Sequence, residues 1–236
     1  MNIVLTGASR GIGYELVKQF CSSGANTIFA VSRNGNKLEQ LKKECEGLNS
    51  RSKVIPLIFD LSKDAEIQKV VSEIKKETNS INILINNAGA IVNKPFSEIT
   101  PVDMEYVYQV NVFSVIRLIQ GLLPLMDEKQ KSHIINISSI GGVQGSSKFA
   151  GLSSYSSSKA ALICLTECLA EEFKEKNIAF NCLALGAVQT EMLNEAFPGY
   201  KAPVSPLEMA SYIIDFAFNA HKVMNGKVIP VSLSNP

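Results

Sequence analysis

The sequence predicts a single α/β domain in which a doubly wound parallel sheet of about seven strands is covered by helices on both faces. Three observations carry that expectation. The chain opens with a strand, a glycine turn and a helix start at Ile3-Val-Leu-Thr-Gly-Ala-Ser-Arg-Gly-Ile-Gly13. Strand and helix patterns then alternate to the end. Several of the strands are unbroken apolar runs, as expected where both sheet faces are buried, and helical crossovers between them imply parallel pairing. No low-complexity linker or internal repeat interrupts residues 1–236, so one domain spans the chain.

The opening unit sets the pattern. Three apolar residues run into Thr6, glycines follow at 7, 11 and 13, and Ile12, Leu16, Val17 and Phe20 then fall on one helical face. Such a turn leaves backbone N–H groups at the positive end of a helix, which suits a diphosphate. Glycine lets the chain bend sharply and lets a phosphate approach without meeting a Cβ. Glycine-rich turns also occur with no ligand, so the rest of the chain must decide.

Residues 26–31 read as the second strand and 35–47 as a helix whose Lys/Glu run is a solvated face. Residues 54–59 are a third strand, placed at an edge or strand start by Pro56, which cannot donate to a ladder. A helix over 64–78 turns Ile67, Val70, Val71 and Ile74 to one side. Strands follow at 81–85, 133–137, 178–185 and 227–232, with helices over 101–126, 154–175 and 206–219 between them.

Helices 101–126 and 154–175 are apolar nearly all round, through residues such as Val110, Phe113, Ile116, Ile119, Ile163, Leu165 and Leu169. A helix of that kind is buried on both sides. A domain this size covers one side itself, so the second side predicts a homodimer or homotetramer through these two helices.

Composition excludes several classes. With 23 basic and 22 acidic residues the net charge is +1, which argues against a nucleic-acid or membrane-surface partner. The five cysteines, at 21, 45, 164, 168 and 182, show no Cys-x-x-Cys spacing, so neither a disulfide framework nor a metal site is expected. Cys164 and Cys168 share a helix face and are read as small core residues. The first apolar run is too short for a secretory signal, and no run of about 18 apolar residues spans a membrane. The default setting is cytoplasmic. His133 and His221 have no partner pattern and receive no role.

The second strand ends in Ala30-Val-Ser-Arg-Asn34. An NAD site usually places a carboxylate there for the ribose hydroxyls; here Ser32 and Arg33 offer a hydroxyl and a charged fork. Arg10, in the glycine turn, can close on the same phosphate. Either arginine alone can be merely solvated, but together they favour NADP(H). Further on, Tyr155-Ser-Ser-Ser-Lys159 puts a phenol and an ammonium on one helix face. A lysine there is expected to lower the tyrosine pKa towards working pH. Ser138-Ser139 end the fifth strand, where a doubly wound sheet presents its ligands.

Thr6-Gly-x-x-x-Gly-x-Gly13, Asn86-Asn-Ala-Gly89, Asn111, Ser139 and Tyr155-x-x-x-Lys159 together resemble the short-chain dehydrogenase/reductase family, in order and over nearly the whole chain. The resemblance is to the Rossmann-fold branch without an extended substrate domain. It implies Tyr155 as general acid/base and Ser139 as holder of the substrate carbonyl. It implies Lys159 as ligand of the nicotinamide ribose and tuner of Tyr155, and Asn111 as holder of a relay water. It implies cofactor contacts at Gly7, Ser9, Arg10, Gly11, Ile12 and Gly13, at Ser32 and Arg33, at Asp60 and Leu61 by the adenine, and at Asn87, Ala88 and Gly89 by the adenosine ribose. Tyr155 and Lys159 complete the set with Gly186, Val188 and Thr190 near the carboxamide.

Three departures stand out. Leu185-Gly186 replaces the family's Pro-Gly. The span from Ser139 to Tyr155 is longer, so residues 141–153 are expected to reshape the substrate mouth. The chain stops at Val231-Ser-Leu-Ser-Asn-Pro236, and no tail is expected to reach a neighbour's pocket. Residues 91–96, 140–152 and 192–200 are the candidate pocket walls. Phe96, Val143, Phe149, Leu152, Met192, Phe197 and Tyr200 suggest an uncharged, partly apolar small carbonyl compound, or simply packed loops. Lys94, Lys148 and Lys201 lie nearby. The favoured reading is an NADPH-dependent carbonyl reductase. A 3-oxoacyl-thioester reductase, which would want a basic patch at the mouth, and a catalytically idle NADP(H)-sensing protein are the alternatives.

Overall fold

A computed structural model describes residues 1–48, 51–126 and 131–233. The described strands are β1 (Asn2–Thr6), β2 (Thr27–Ser32), β3 (Lys53–Ile58), β4 (Ile83–Asn86), β5 (Ser132–Ser139), β6 (Ile178–Leu185) and β7 (Lys227–Val231). They form one sheet in the order β3-β2-β1-β4-β5-β6-β7, with every pair parallel. The strand order reverses between β1 and β4, which opens a crevice at their carboxyl ends. Both edge strands carry a proline, Pro56 in β3 and Pro230 in β7, where the missing N–H costs no ladder bond.

On one sheet face α1 (Gly11–Ser22), α2 (Gly35–Gly47) and α8 (Pro206–Asn219) bury Leu16, Phe20, Leu38, Leu41, Ile213 and Phe216. On the other, α3 (Asp64–Glu77) packs with the helices after β4 and β5 around Val70, Ile74, Leu118, Leu122, Leu162 and Phe180. The strands supply both cores because their residues alternate faces: Ile3 and Leu5 serve the first, Val4 the second.

Three sequence expectations need correction. The helix expected over 101–126 is not continuous. It runs as α4 (Pro101–Tyr108), passes through a π turn at Gln109–Phe113, resumes as α5 (Ser114–Leu122) and ends in a short 3₁₀ turn. The apolar pattern continues through the π turn, so periodicity alone could not locate it. The helix α6 (Ser153–Glu172) is not buried all round: Ser154, Ser158, Lys159, Leu162, Thr166 and Ala170 face the core, while Leu165 and Leu169 are half-buried. Cys164 and Cys168 are exposed on its outer side, against their reading as core residues, whereas Cys21, Cys45 and Cys182 are buried. A further short helix, α7 (Glu191–Ala196), interrupts the segment after β6. Among the described residues no helix is long and apolar enough to cross a membrane, and no cluster of side chains suits a metal ion. Residues 234–236, the end of the tail discussed above, lie outside the described residues.

Candidate active site

The crevice at the switch point deepens into a cavity of about 560 Å³. Of the residues expected to touch a cofactor, all but Gly13 form its wall. Gly7 and Gly11 adopt φ of +73° and +55°, which favour glycine. A Cβ on Gly7 would lie 2.9 Å from the Ala88 Cα. Gly13 sits behind the wall, where a Cβ would come within 2.2 Å of the Gly7 carbonyl oxygen. The absence of a side chain there lets helix pack closely on strand. Thr6 knits the two sides of the switch point, its Oγ1 accepting from the N–H groups of Asn87 and Ala88, both at 3.0 Å.

No side chain caps α1 and no acidic residue stands in its first turn. An uncapped helix start beneath a glycine turn presents donors and positive potential together, so the residues fit a diphosphate. At the end of β2, Ser32 donates to Ser9 at 2.7 Å, with Arg33 beside them on the wall. Burial pushes the Asp60 carboxyl up. The Ser62 hydrogen bonds and the charges of Arg33 and Lys63 outweigh it and hold Asp60 below its ordinary value. Arg10, expected to close on a phosphate at this corner, is engaged elsewhere in the structure. Both terminal nitrogens of its guanidinium engage the Glu195 carboxylate of α7, Nη2 at 3.2 Å.

Across the cavity, β5 ends at Ser139, whose Oγ accepts from the Gly141 N–H at 3.3 Å. Tyr155 and Lys159 stand one turn apart on α6 and share the wall with Ser139. Gly142 makes that approach possible, since a Cβ there would lie 2.7 Å from the Lys159 backbone. Two bonds pin α6 to β5: Ser138 Oγ donates to the Lys159 carbonyl at 2.9 Å, and Lys159 Nζ donates to the Ile137 carbonyl at 2.8 Å.

The electrostatics differ from the sequence expectation. Burial raises the Tyr155 pKa, and a hydrogen bond with Ser139 draws it partly back. Lys159 Nζ lies 5.8 Å from the Tyr155 ring centre. Burial lowers the lysine itself to about 8. In this cavity, removing the phenol from water outweighs the hydrogen bond with Ser139.

Asn111 is brought to the same place but does not line the wall. Fully buried in the π turn, it accepts from the Ala90 N–H at 2.7 Å and donates to the Ala90 carbonyl and Ser158 Oγ, both at 2.9 Å. Both amide protons are thereby committed. The side chain ties the loop after β4 to α6, so its visible task is bracing. The π turn is itself braced where Gln109 donates to Asp64 at 2.7 Å and Arg117 pairs with the same carboxylate at 2.9 Å. Turns of this kind recur at functional sites.

Apolar and aromatic side chains line much of the cavity: Ile91, Ile140, Phe149, Leu152, Met192, Leu193, Phe197 and Tyr200. Phe96, three-quarters exposed, and Val143 lie off the wall. Lys94 pairs with Asp103 at 2.8 Å, and Lys148 turns back onto the Val143 carbonyl at 2.6 Å. Lys201 does not line the cavity. Sequence reasoning missed Tyr106, which lines the wall, and the Glu195 partner of Arg10. A contact 185 residues apart in sequence leaves no periodic signal. The buried Asn111 within an apolar helix was the one available hint of the π turn.

The pattern of the short chain dehydrogenase family matches residues 1–201. The chain is 30% identical over 239 residues to the 3-oxoacyl-[acyl-carrier-protein] reductase of Thermotoga maritima, covering 97% of this chain and 94% of that protein. It is 32% identical over 214 residues to a fatty acyl-CoA reductase of Acinetobacter baylyi, covering 89% and 70%. Among solved structures it resembles the Pseudomonas aeruginosa RhlG/NADP active-site complex, with a TM-score of 0.84, 28% identity and coverage of 98% and 94%. The glycine turn, the Asn-Asn-Ala-Gly loop and the Ser/Tyr/Lys wall described above lie within the matched span, and the chain belongs to the short-chain dehydrogenase/reductase family of oxidoreductases.

Proposed function

We propose that the protein is an NADPH-dependent carbonyl reductase. One observation carries the reading: Ser139, Tyr155 and Lys159 share a wall of the cavity whose other end is the uncapped glycine turn. The turn at Gly7–Ile12 would hold the diphosphate, Ser32 and Arg33 the adenosine phosphate, Asp60 and Leu61 the adenine, and Asn87–Gly89 its ribose. Lys159 would take the nicotinamide ribose, with Gly186, Val188 and Thr190 at the carboxamide. When bound, the reduced nicotinamide supplies a hydride to the carbonyl carbon. Negative charge then builds on the carbonyl oxygen. Ser139 donates a hydrogen bond to that oxygen, and Tyr155 transfers its phenolic proton there. A raised phenol pKa keeps Tyr155 protonated and ready to act as the acid. The Lys159 ammonium lends positive potential as the phenolate forms. Asn111 fixes the loop at Gly89-Ala90 against α6, and a proton relay past it to solvent completes the cycle.

The cofactor preference rests on Ser32 and Arg33 standing where an NAD site would carry an acid, and on the NADP bound to the Pseudomonas relative. Replacing Arg10 and Arg33 together by alanine is expected to cost a few kcal/mol of NADPH affinity, about 1.5–3 per charge-assisted bond. Equal turnover with NADH and NADPH in the parent would overturn the preference. Binding of NADPH without turnover across ketones, aldehydes and alcohols would favour the idle sensor.

A second reading is a 3-oxoacyl-thioester reductase, favoured by the name of the Thermotoga relative. Against it, Lys94 and Lys148 are tied down rather than facing a carrier. A panel of free ketones against 3-oxoacyl thioesters decides between them. The half-exposed outer sides of the π turn, α5 and α6, with Phe113, Ile116 and Leu165, would be covered in a homodimer or homotetramer. A monomeric mass by light scattering at micromolar concentration would remove that part.

A further inference from the structure

The helix α7 has an unusual footing. None of its six residues is buried, and so short a helix has little stability of its own. Bonds at its last turn hold it over the cavity from two sides. Asn93 Nδ2 donates to the Ala196 carbonyl at 2.8 Å, and the preceding residue, Glu195, receives the end-on fork of Arg10. Arg10 follows Ser9, whose hydroxyl meets Ser32 at the end of β2. Arg10 is thus tied to α7 at its tip, while its backbone neighbour Ser9 meets the corner formed by Ser32.

We propose that Glu195 is a cofactor-discriminating residue: it competes with the adenosine 2′-phosphate for Arg10, so that a 2′-phosphorylated dinucleotide must draw Arg10 away from α7 while one without that phosphate leaves the pair closed. The inference rests on the NADPH reading above. Its chemistry is that of one fork and two anions. The paired end nitrogens of a guanidinium match one carboxylate or one phosphate at a time. Glu191, on the same helix, adds negative potential around Arg10 and lies against the turn, its Oε2 3.5 Å from where a Gly11 Cβ would stand. Removing the Glu195 charge frees the fork and lessens repulsion of the phosphate, and both effects act in the same direction. The pair is half-exposed, so its release changes affinity severalfold rather than by orders of magnitude.

The test is calorimetric titration of the whole protein and its Glu195→Gln variant with NADPH, NADH, 2′,5′-ADP and 5′-ADP. The expected result is tighter binding of NADPH and 2′,5′-ADP by about three- to fivefold, with NADH and 5′-ADP changed by less than about half that factor. In an Arg10→Ala background the Glu195→Gln change should lose most of its effect, leaving only the lessened repulsion. Equal shifts for all four ligands, no shift, weaker NADPH binding, or persistence of the full effect without Arg10 would each overturn the proposal. If Arg10→Ala lowers NADPH affinity selectively and Glu195→Gln changes nothing, Glu195 alone is at fault. If Arg10→Ala leaves NADPH and NADH alike, the cofactor reading has failed with it.

Discussion

The strand β5 has a basic side chain buried near each end, and the two fare differently. At its start, His133 is wholly buried. Its Nδ1–H donates to the Ala217 carbonyl at 3.1 Å, and its Nε2 accepts from the Asn181 amide at 3.0 Å, which sets the neutral tautomer. It also packs, tilted, against the rings of Phe216 and His221. At the far end, Lys159 donates to Ile137, and its remaining N–H groups face the cavity beside Tyr155. Burial drives both towards neutrality, His133 to about 4 and Lys159 to about 8. His133 has every valence satisfied and serves as a clamp joining β5, β6 and α8. Lys159 has valences to spare and opens on a ligand cavity. Burial of a titratable group thus marks chemistry only where an unused donor meets room for a substrate.

The sharpest way to break this contrast is at the cavity end. Tyr155→Phe is expected to lower kcat by about 10²–10⁴, roughly 3–5 kcal/mol on the barrier, with NADPH affinity nearly intact by titration. Full activity would remove Tyr155 from the chemistry. The next effect belongs to the other end. Unfolded chains take up a proton at His133 near pH 6.5, whereas the folded protein does so near 4. Stability is therefore fully present above pH 6.5, is lost as pH falls towards 4, and the histidine's share is about 3 kcal/mol. Urea unfolding across that range should show the slope, and His133→Gln should flatten it. An unchanged slope would show that the clamp does not titrate as described.

Between the two ends, Gly13→Ala forces a methyl against the Gly7 carbonyl and should cost about 1–3 kcal/mol of stability by urea unfolding. The smallest effect joins both ideas. Lys159→Met removes a buried charge that has no carboxylate partner, and should raise stability by about 1–2 kcal/mol while activity falls, a trade common at functional sites. A less stable variant would mean that the Ile137 bond outweighs the burial of the ammonium.

Much of this was legible in the chain itself. The apolar runs of β1, β4, β5 and β6 specify a sheet covered on both faces, because only strands with no solvent side can dispense with alternation. Pro56 marked an edge or a strand start for want of an N–H, and the strand order makes β3 an edge. The glycines at 7 and 11 and the Tyr155/Lys159 spacing are local geometry, fixed by bond angles and helical pitch, so a sequence displays them directly. What required the folded molecule was everything made by distant residues meeting. The π turn at Gln109–Phe113 keeps the apolar pattern of a helix and shows itself only where Asn111 meets Ala90 and Ser158. That Gly13 also has to be glycine for packing shows only where the Gly7 carbonyl crowds it. The Tyr155 pKa turned on burial, which the arrangement of walls decides and neighbouring residues in sequence do not. Arg10 stood at the right place for a phosphate, yet its partner Glu195 lies on a short helix that no apolar period announces. Local sequence fixes what a backbone segment will do; the balance of charge and solvent around a side chain depends on which other segments arrive beside it.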